Sequence, residues 1–150
     1  MPVTLGVLVL LGSGLTAGVL FAVAVSVLPA LLAMPTGTYV YAHQLLGRNW
    51  DPTMPVIVLT STAADALLAV WSAGTARALA VSAAVLLLGV SAVSHLANVP
   101  INRRVKAVTD TRRLPDDWTD PRPLWRRWHL LRTALAVTAL AVNAAAVALR

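Results

Sequence analysis

From Met1 to Gly47 the chain carries no Lys, Arg, Asp or Glu. That stretch is more than twice the ~20 apolar residues a helix needs to cross a bilayer. A cleaved secretory leader would begin with basic residues and hold an apolar run of about 7–15 residues. Met1 to Leu11 has no basic side chain and its apolar run is far longer, so the segment is expected to stay in the protein. The whole chain is 58% hydrophobic and 12% charged, against about 25% charged in soluble domains. The expected class is an integral membrane protein.

Four apolar segments are long enough to span at ~1.5 Å per residue: about 3–33, 54–73, 78–101 and 125–149. Backbone inside a bilayer must satisfy its own hydrogen bonds, and the segments lack the alternation of a barrel, so they read as helices. The expectation is all-α: a single antiparallel four-transmembrane-helix bundle with polar cytoplasmic connections. Pro35, Gly37 and Gly47 punctuate the stretch from Met34 to Thr53, which reads as a connection with room for a short interfacial helix. Tyr39, Tyr41 and Trp50 in it suit the headgroup level. The turn Ser72–Arg77 is short and makes the second and third helices antiparallel neighbours. A polar connection, about Asn102–Leu124, follows the third helix.

The formal charge of +6 is concentrated from Arg103 to Arg132, beside apolar segments. It reads as a topology signal, and no nucleic-acid partner is implied. Arg48, Arg103, Arg104, Lys106, Arg112, Arg113, Arg122, Arg126 and Arg127 share one side, against Arg77 and Arg150 on the other. Both termini are therefore expected outside the cytoplasm, in a cell inner or plasma membrane. Gly14 and Gly18 form a small-xxx-small pair that suits either a homo-oligomer or packing within the bundle. With no cysteine, thiolate metal sites, iron–sulfur clusters and cysteine nucleophiles are excluded. Nucleotide-binding loops and a serine nucleophile elbow are also missing.

Polar residues interrupt the apolar segments in two places. His95, Asn98 and Asn102 are spaced i, i+3, i+7, one helical face, with Pro100 expected to kink the backbone beside them. Trp125, Trp128, His129 and Arg132 are likewise spaced i, i+3, i+4, i+7 in PLWRRWHLLRT. From the cytoplasmic boundary His95 lies about 12 Å deep and His129 about 6 Å deep, so antiparallel helices can bring them close. Asp65 is the only acidic residue in an expected span. A carboxylate there costs ~2.5–3.5 kcal/mol even on insertion scales, so it should face the interior and find a partner or stay protonated. His43, His95 and His129, the chain's three histidines, lie on one expected side and are enough to ligate copper or iron. A site without metal stands beside that reading.

LFAVAVSVLPALLAM, HLANVPINRRV and WRRWHLLRT, with YVYAHQLLGRNWDPTMP between the first two, resemble the anthrone oxygenase-like family of small four-helix integral membrane proteins. The resemblance covers most of the chain. Better-understood members of that family help oxidise polyketide anthrones to anthraquinones with dioxygen, in secondary metabolism. It implies a pocket near the cytoplasmic helix ends in which Asn98, Asn102, Trp128, His129 and Arg132 fall on recurring family positions. His95 and Asp65 rest on the residue argument alone.

The expected function is a membrane-embedded oxygenase or oxidase for an apolar, aromatic or polyketide-like molecule entering from the lipid. Asn98, Asn102, Trp125 and Trp128 would bind it. His95, His129, Asp65 and Arg132 would supply the chemistry. The competing expectation is a non-enzymatic accessory subunit or small transporter whose polar stripe only holds the helices together.

Overall fold

The computed structural model describes residues 3–149, in which four helices carry the chain: α1 (Val3–Ala33), α2 (Thr36–Trp71), α3 (Gly74–Lys106) and α4 (Arg122–Ala148). All four are long and apolar enough to cross a membrane, and no strand occurs among the described residues. The all-α, four-span expectation holds. Arg150, counted above for orientation, lies outside the described residues, as do Met1 and Pro2. Only 22–28% of the most apolar window of each helix is buried. Most of its large apolar side chains therefore point outward, as a lipid-facing surface requires.

α1 and α3 each pack against both α2 and α4, which closes the bundle. Its middle is built from Ala17, Leu20, Val58, Leu87, Val90, Ala136 and Ala139. The alanines let backbones approach where lipid supplies no hydrophobic drive between helices. One end holds Leu28, Leu31, Tyr39, Val40, Ile101, Val105 and Trp125; Val9, Leu68, Ala69 and Ala80 fill the other.

The connections differ from expectation. Helix α2 begins at Thr36, not near Met54, so the stretch expected as a connection is the first half of a 36-residue helix. Its link to α1 is Met34–Pro35 alone. Pro52 and Pro55 lie inside α2, and proline normally breaks an interior helix. The helix nonetheless runs on through both prolines to Trp71. The link from α2 to α3 turns at Gly74, whose φ of 52° suits glycine. Gly37 lets the carbonyl of Thr111 pass where a Cβ would stand, so the long third connection lies against the start of α2. α3 runs on to Lys106 and α4 starts at Arg122, a turn beyond the expected bounds in each case.

The other departure lies in the helix ladders. α1 contains a π turn at Val23–Val27 and α3 one at Ser94–Asn98, each ending two residues before a proline, Pro29 and Pro100. Proline lacks the N–H for the i−4 carbonyl and its ring crowds that carbonyl. A π turn widens the ladder there and accommodates the ring.

Candidate functional site

The two π turns flank a cavity of about 160 Å³ reached by all four helices. Val23, Val27 and Leu31 of α1 and Met54 and Val58 of α2 give it apolar walls. His43 and Asp51 of α2, Ser94, His95 and Asn102 of α3, and Trp125, His129 and Arg132 of α4 add polar groups and an aromatic ring. Trp50 and His95 are among the exposed members of the wall and mark where it opens.

The hydrogen-bond partners settle which nitrogen of each histidine carries the proton, because carbonyl and carboxylate oxygens only accept. The carbonyl of Leu20, three residues before the first π turn, takes His129 Nε2–H at 3.1 Å. His129 Nδ1 must then be the lone pair, and it accepts from Arg132 Nη2 at 2.9 Å and Nε at 3.2 Å. Both ring nitrogens of His129 are thus engaged in hydrogen bonds. Its ring stacks on Trp125, with centroids 5.1 Å apart.

Across Trp125 lies His43, with ring centroids 5.4 Å apart. Asn102 Nδ2 donates to Asp51 Oδ1 at 3.4 Å, which points the amide oxygen at His43 Nε2, 3.1 Å away. His43 therefore carries its proton on Nε2. Asp51 in turn pairs with Lys106, and both are about one-third exposed. His95 has the opposite tautomer: its Nδ1–H donates to the Ser91 carbonyl at 2.9 Å. Its Nε2 has no partner among the described residues, and His95 is the one exposed histidine of the cavity wall. His43 Nδ1 is also unpaired but buried, so of the three His95 alone has its unpaired nitrogen on an exposed ring.

Arg132 is the other reactive feature. It donates to His129 and, at 3.3 Å, to Ser94 Oγ. The ion pairs among the described residues are Lys106–Asp51 and Arg122–Asp120, so no carboxylate contacts this guanidinium, and Asp51 of the same cavity wall acts on it only at longer range.

The expected site is thus partly assembled. His43, His95, Asn102, Trp125, His129 and Arg132 share the cavity, while Asn98, Trp128 and Asp65 stand outside its wall. Asn98 is fully buried with neither amide atom bonded. The π turn changes the residues per turn between His95 and Asn102, so the stripe expected from α-helical spacing divides. Trp128 turns partly outward, 37% exposed. Asp65 is fully buried against Asn143, about 10 Å further along α2 than Val58. The copper or iron set does not fit: no group of three His, Cys, Asp or Glu able to hold a metal occurs among the described residues. Trp125 stands between two of the histidines and His129 has no free nitrogen. Sequence reasoning missed Asp51, Trp50 and Met54. Their signal was a helical spacing running His43, Gly47, Trp50, Asp51, Met54, Val58 straight through Pro52.

Fold and site together define a four-helix membrane protein with a cavity between its helices, a guanidinium in the wall that no carboxylate contacts and an exposed imidazole at its opening. The sequence model of the anthrone oxygenase family matches residues 3–142, and the chain belongs to that family. The family name points to an oxygenase-like role. No curated protein and no solved structure matches the chain.

Proposed function

We propose that this protein is an oxygenase that uses dioxygen on an apolar aromatic molecule drawn from the bilayer, one with a ring-flanked CH₂ that becomes acidic through a neighbouring carbonyl or phenol. The observation that carries this reading is Arg132, a cation in an apolar cavity wall with no carboxylate partner. A charge in such a place is costly and belongs with a ligand that supplies the opposite sign. An enolate or phenolate oxygen does so only once the substrate has lost its proton, so Arg132 favours the reacting form over the resting one.

His95 Nε2 takes the proton as the C–H bond breaks, and the electron pair spreads from carbon onto oxygen beside Arg132. One electron passes to dioxygen; the carbon radical and superoxide combine, and a proton gives the hydroperoxide. Loss of water leaves a ketone, so CH₂ and O₂ become C=O and H₂O. Asn102 and Trp125 line the bound ring, and the paired His129 holds the guanidinium fork in place. A cavity of about 160 Å³ is close to the ~150 Å³ that encloses a benzene. The reacting ring fills it, and the rest of a larger substrate lies in the opening by Trp50 and His95. The end bearing the third connection, with most basic residues, faces the cytoplasm.

The test is purified protein in detergent with anthrone under air, followed by oxygen uptake and quinone absorbance. Turnover lost in both Arg132→Met and His95→Ala supports the reading. Turnover at the buffer rate with wild-type protein, for anthrone and simple phenols alike, overturns it.

A further inference from the structure

Asp65 and Asn143 form a second polar centre, unconnected to the cavity. Asp65 lies about 9 Å from the end of α2 and Asn143 about 8 Å from the end of α4, so they meet at one level of the bundle. Both are fully buried. Their surroundings are apolar, with Val9, Leu68, Ala69 and Ala80 filling this end. Asn143 Nδ2 donates to Asp65 Oδ2 at 3.3 Å. What is left over decides the chemistry. Asp65 Oδ1 and Asn143 Oδ1 are buried and have no hydrogen-bond donor. Two acceptors of one pair are thus orphaned together, and Asp65 has no cation partner among the described residues.

A single proton resolves both. On Asp65 Oδ1 it makes that oxygen a donor, and the acid and the amide can then exchange two hydrogen bonds: N–H to the carboxyl oxygen, O–H to the amide oxygen. Donation to a hydroxyl would not serve as well. Ser61, one turn earlier on α2, and Ser13 of α1 give their hydrogens to Ile57 and Val9 carbonyls. A proton given to any other acceptor would leave Asn143 Oδ1 orphaned. We infer that Asp65 and Asn143 are a proton-binding site, a neutral acid–amide clamp joining α2 to α4 inside the membrane. The cavity chemistry proposed above has no part in it.

The chain has six acidic residues, and five of them, Asp51, Asp110, Asp116, Asp117 and Asp120, are at least partly exposed. Asp65 is the buried one, and infrared spectroscopy assigns a protonated carboxyl to it through the band that Asp65→Asn removes. The full-length protein in lipid should show one carboxylic-acid C=O stretch at pH 7, missing in Asp65→Asn. Asn at position 65 can restore both hydrogen bonds with Asn143, so this variant should keep the wild-type thermal midpoint. Asn143→Leu, which leaves the acid without a partner, should lower the midpoint and shift the C=O stretch to higher frequency as its hydrogen bond is lost. Absence of the acid band from wild type at pH 7, or an Asp65→Asn protein that melts as early as Asn143→Leu, overturns the inference.

Discussion

Replacing Arg132 by Met should separate stability from activity, with opposite signs for a functional and a structural arginine. The residue sits ten positions into α4, past Arg126 and Arg127, and about 10 Å inside the boundary expected near Trp125. A cation in the hydrocarbon layer costs up to ~2.5–3.5 kcal/mol on insertion scales, and no carboxylate contacts it, Asp51 acting only at longer range. Met removes that cost and keeps the length of the side chain. Against this, His129 Nδ1 loses its donor, about 1–3 kcal/mol for a buried acceptor. The balance lies between no change and ~2 kcal/mol of gained stability, or roughly 0–8 °C in thermal midpoint at about 2–4 °C per kcal/mol. Turnover should fall by about 10²–10³, the usual loss when an oxyanion donor is removed. Arg132→Lys keeps the charge but not the fork that reaches His129, and should fall between the two. Thermal melts in one detergent, beside oxygen uptake with anthrone, provide both numbers. A midpoint that drops while turnover stays within a few-fold of wild type would refute the assignment and make Arg132 a packing residue.

Substituting Ala for His95 should lower turnover about 10²–10⁴-fold, the range of a lost general base, while the melt stays within ~0.5 kcal/mol because the side chain is exposed. Asp51→Asn removes a partly exposed ion pair worth ~0–1 kcal/mol; the Asn102 amide is then free to flip, and nitrogen NMR of His43 should change from one tautomer to a mixture. Outside the membrane, Arg122 holds the Asp120 carboxyl below the usual carboxylate range through their hydrogen bonds. Its folded pKa is depressed, so the stability it adds is full above the ordinary value of about 3.9 and is lost as pH falls through the lowered one. Asp120 is 40% exposed, so the acid limb of a pH-melt series should lose about 1 kcal/mol or less relative to Asp120→Asn. Gly12→Val places a side chain against Ser61 of α2 and should cost ~1–3 kcal/mol in a melt.

The spans were legible because the bilayer forces a long, charge-poor helix whatever its neighbours are, and α1 and α4 lie close to their expected bounds. α2 was not, because Pro35, Gly37, Gly47, Pro52 and Pro55 read as punctuation in water. In a membrane helix they are tolerated, because neighbouring helices and local adjustments re-satisfy the freed backbone groups. That misreading also hid the α2 wall of the cavity. Six of the nine expected site residues share the cavity, since an i, i+4, i+7 pattern holds along unbroken α-helix, as for Trp125, His129 and Arg132. Asp65 was a different failure. Intramembrane charge marks it as consequential, but no local pattern shows that its partner is Asn143, 78 positions away.

The proline pairs give the site its location. A π turn before Pro29 and another before Pro100 fall at the same end of the bundle, on α1 and α3, which are not packed directly on each other. Below this level, alanines on α4 and Ala17 on α1 close the bundle core. At this level the wider ladders leave room between the helices, and the Leu20 carbonyl, just before the first π turn, takes His129. Each consequence leads to the next. With Nε2 committed to Leu20, His129 offers Nδ1 to Arg132, and the guanidinium is aimed along the cavity wall without a carboxylate. On α3 the π turn carries Ser94, which receives the same guanidinium, and His95, which bonds back to Ser91 and keeps its other nitrogen free. Two helix irregularities, each forced by a proline, thus position the anion-binding group and the base of the proposed reaction.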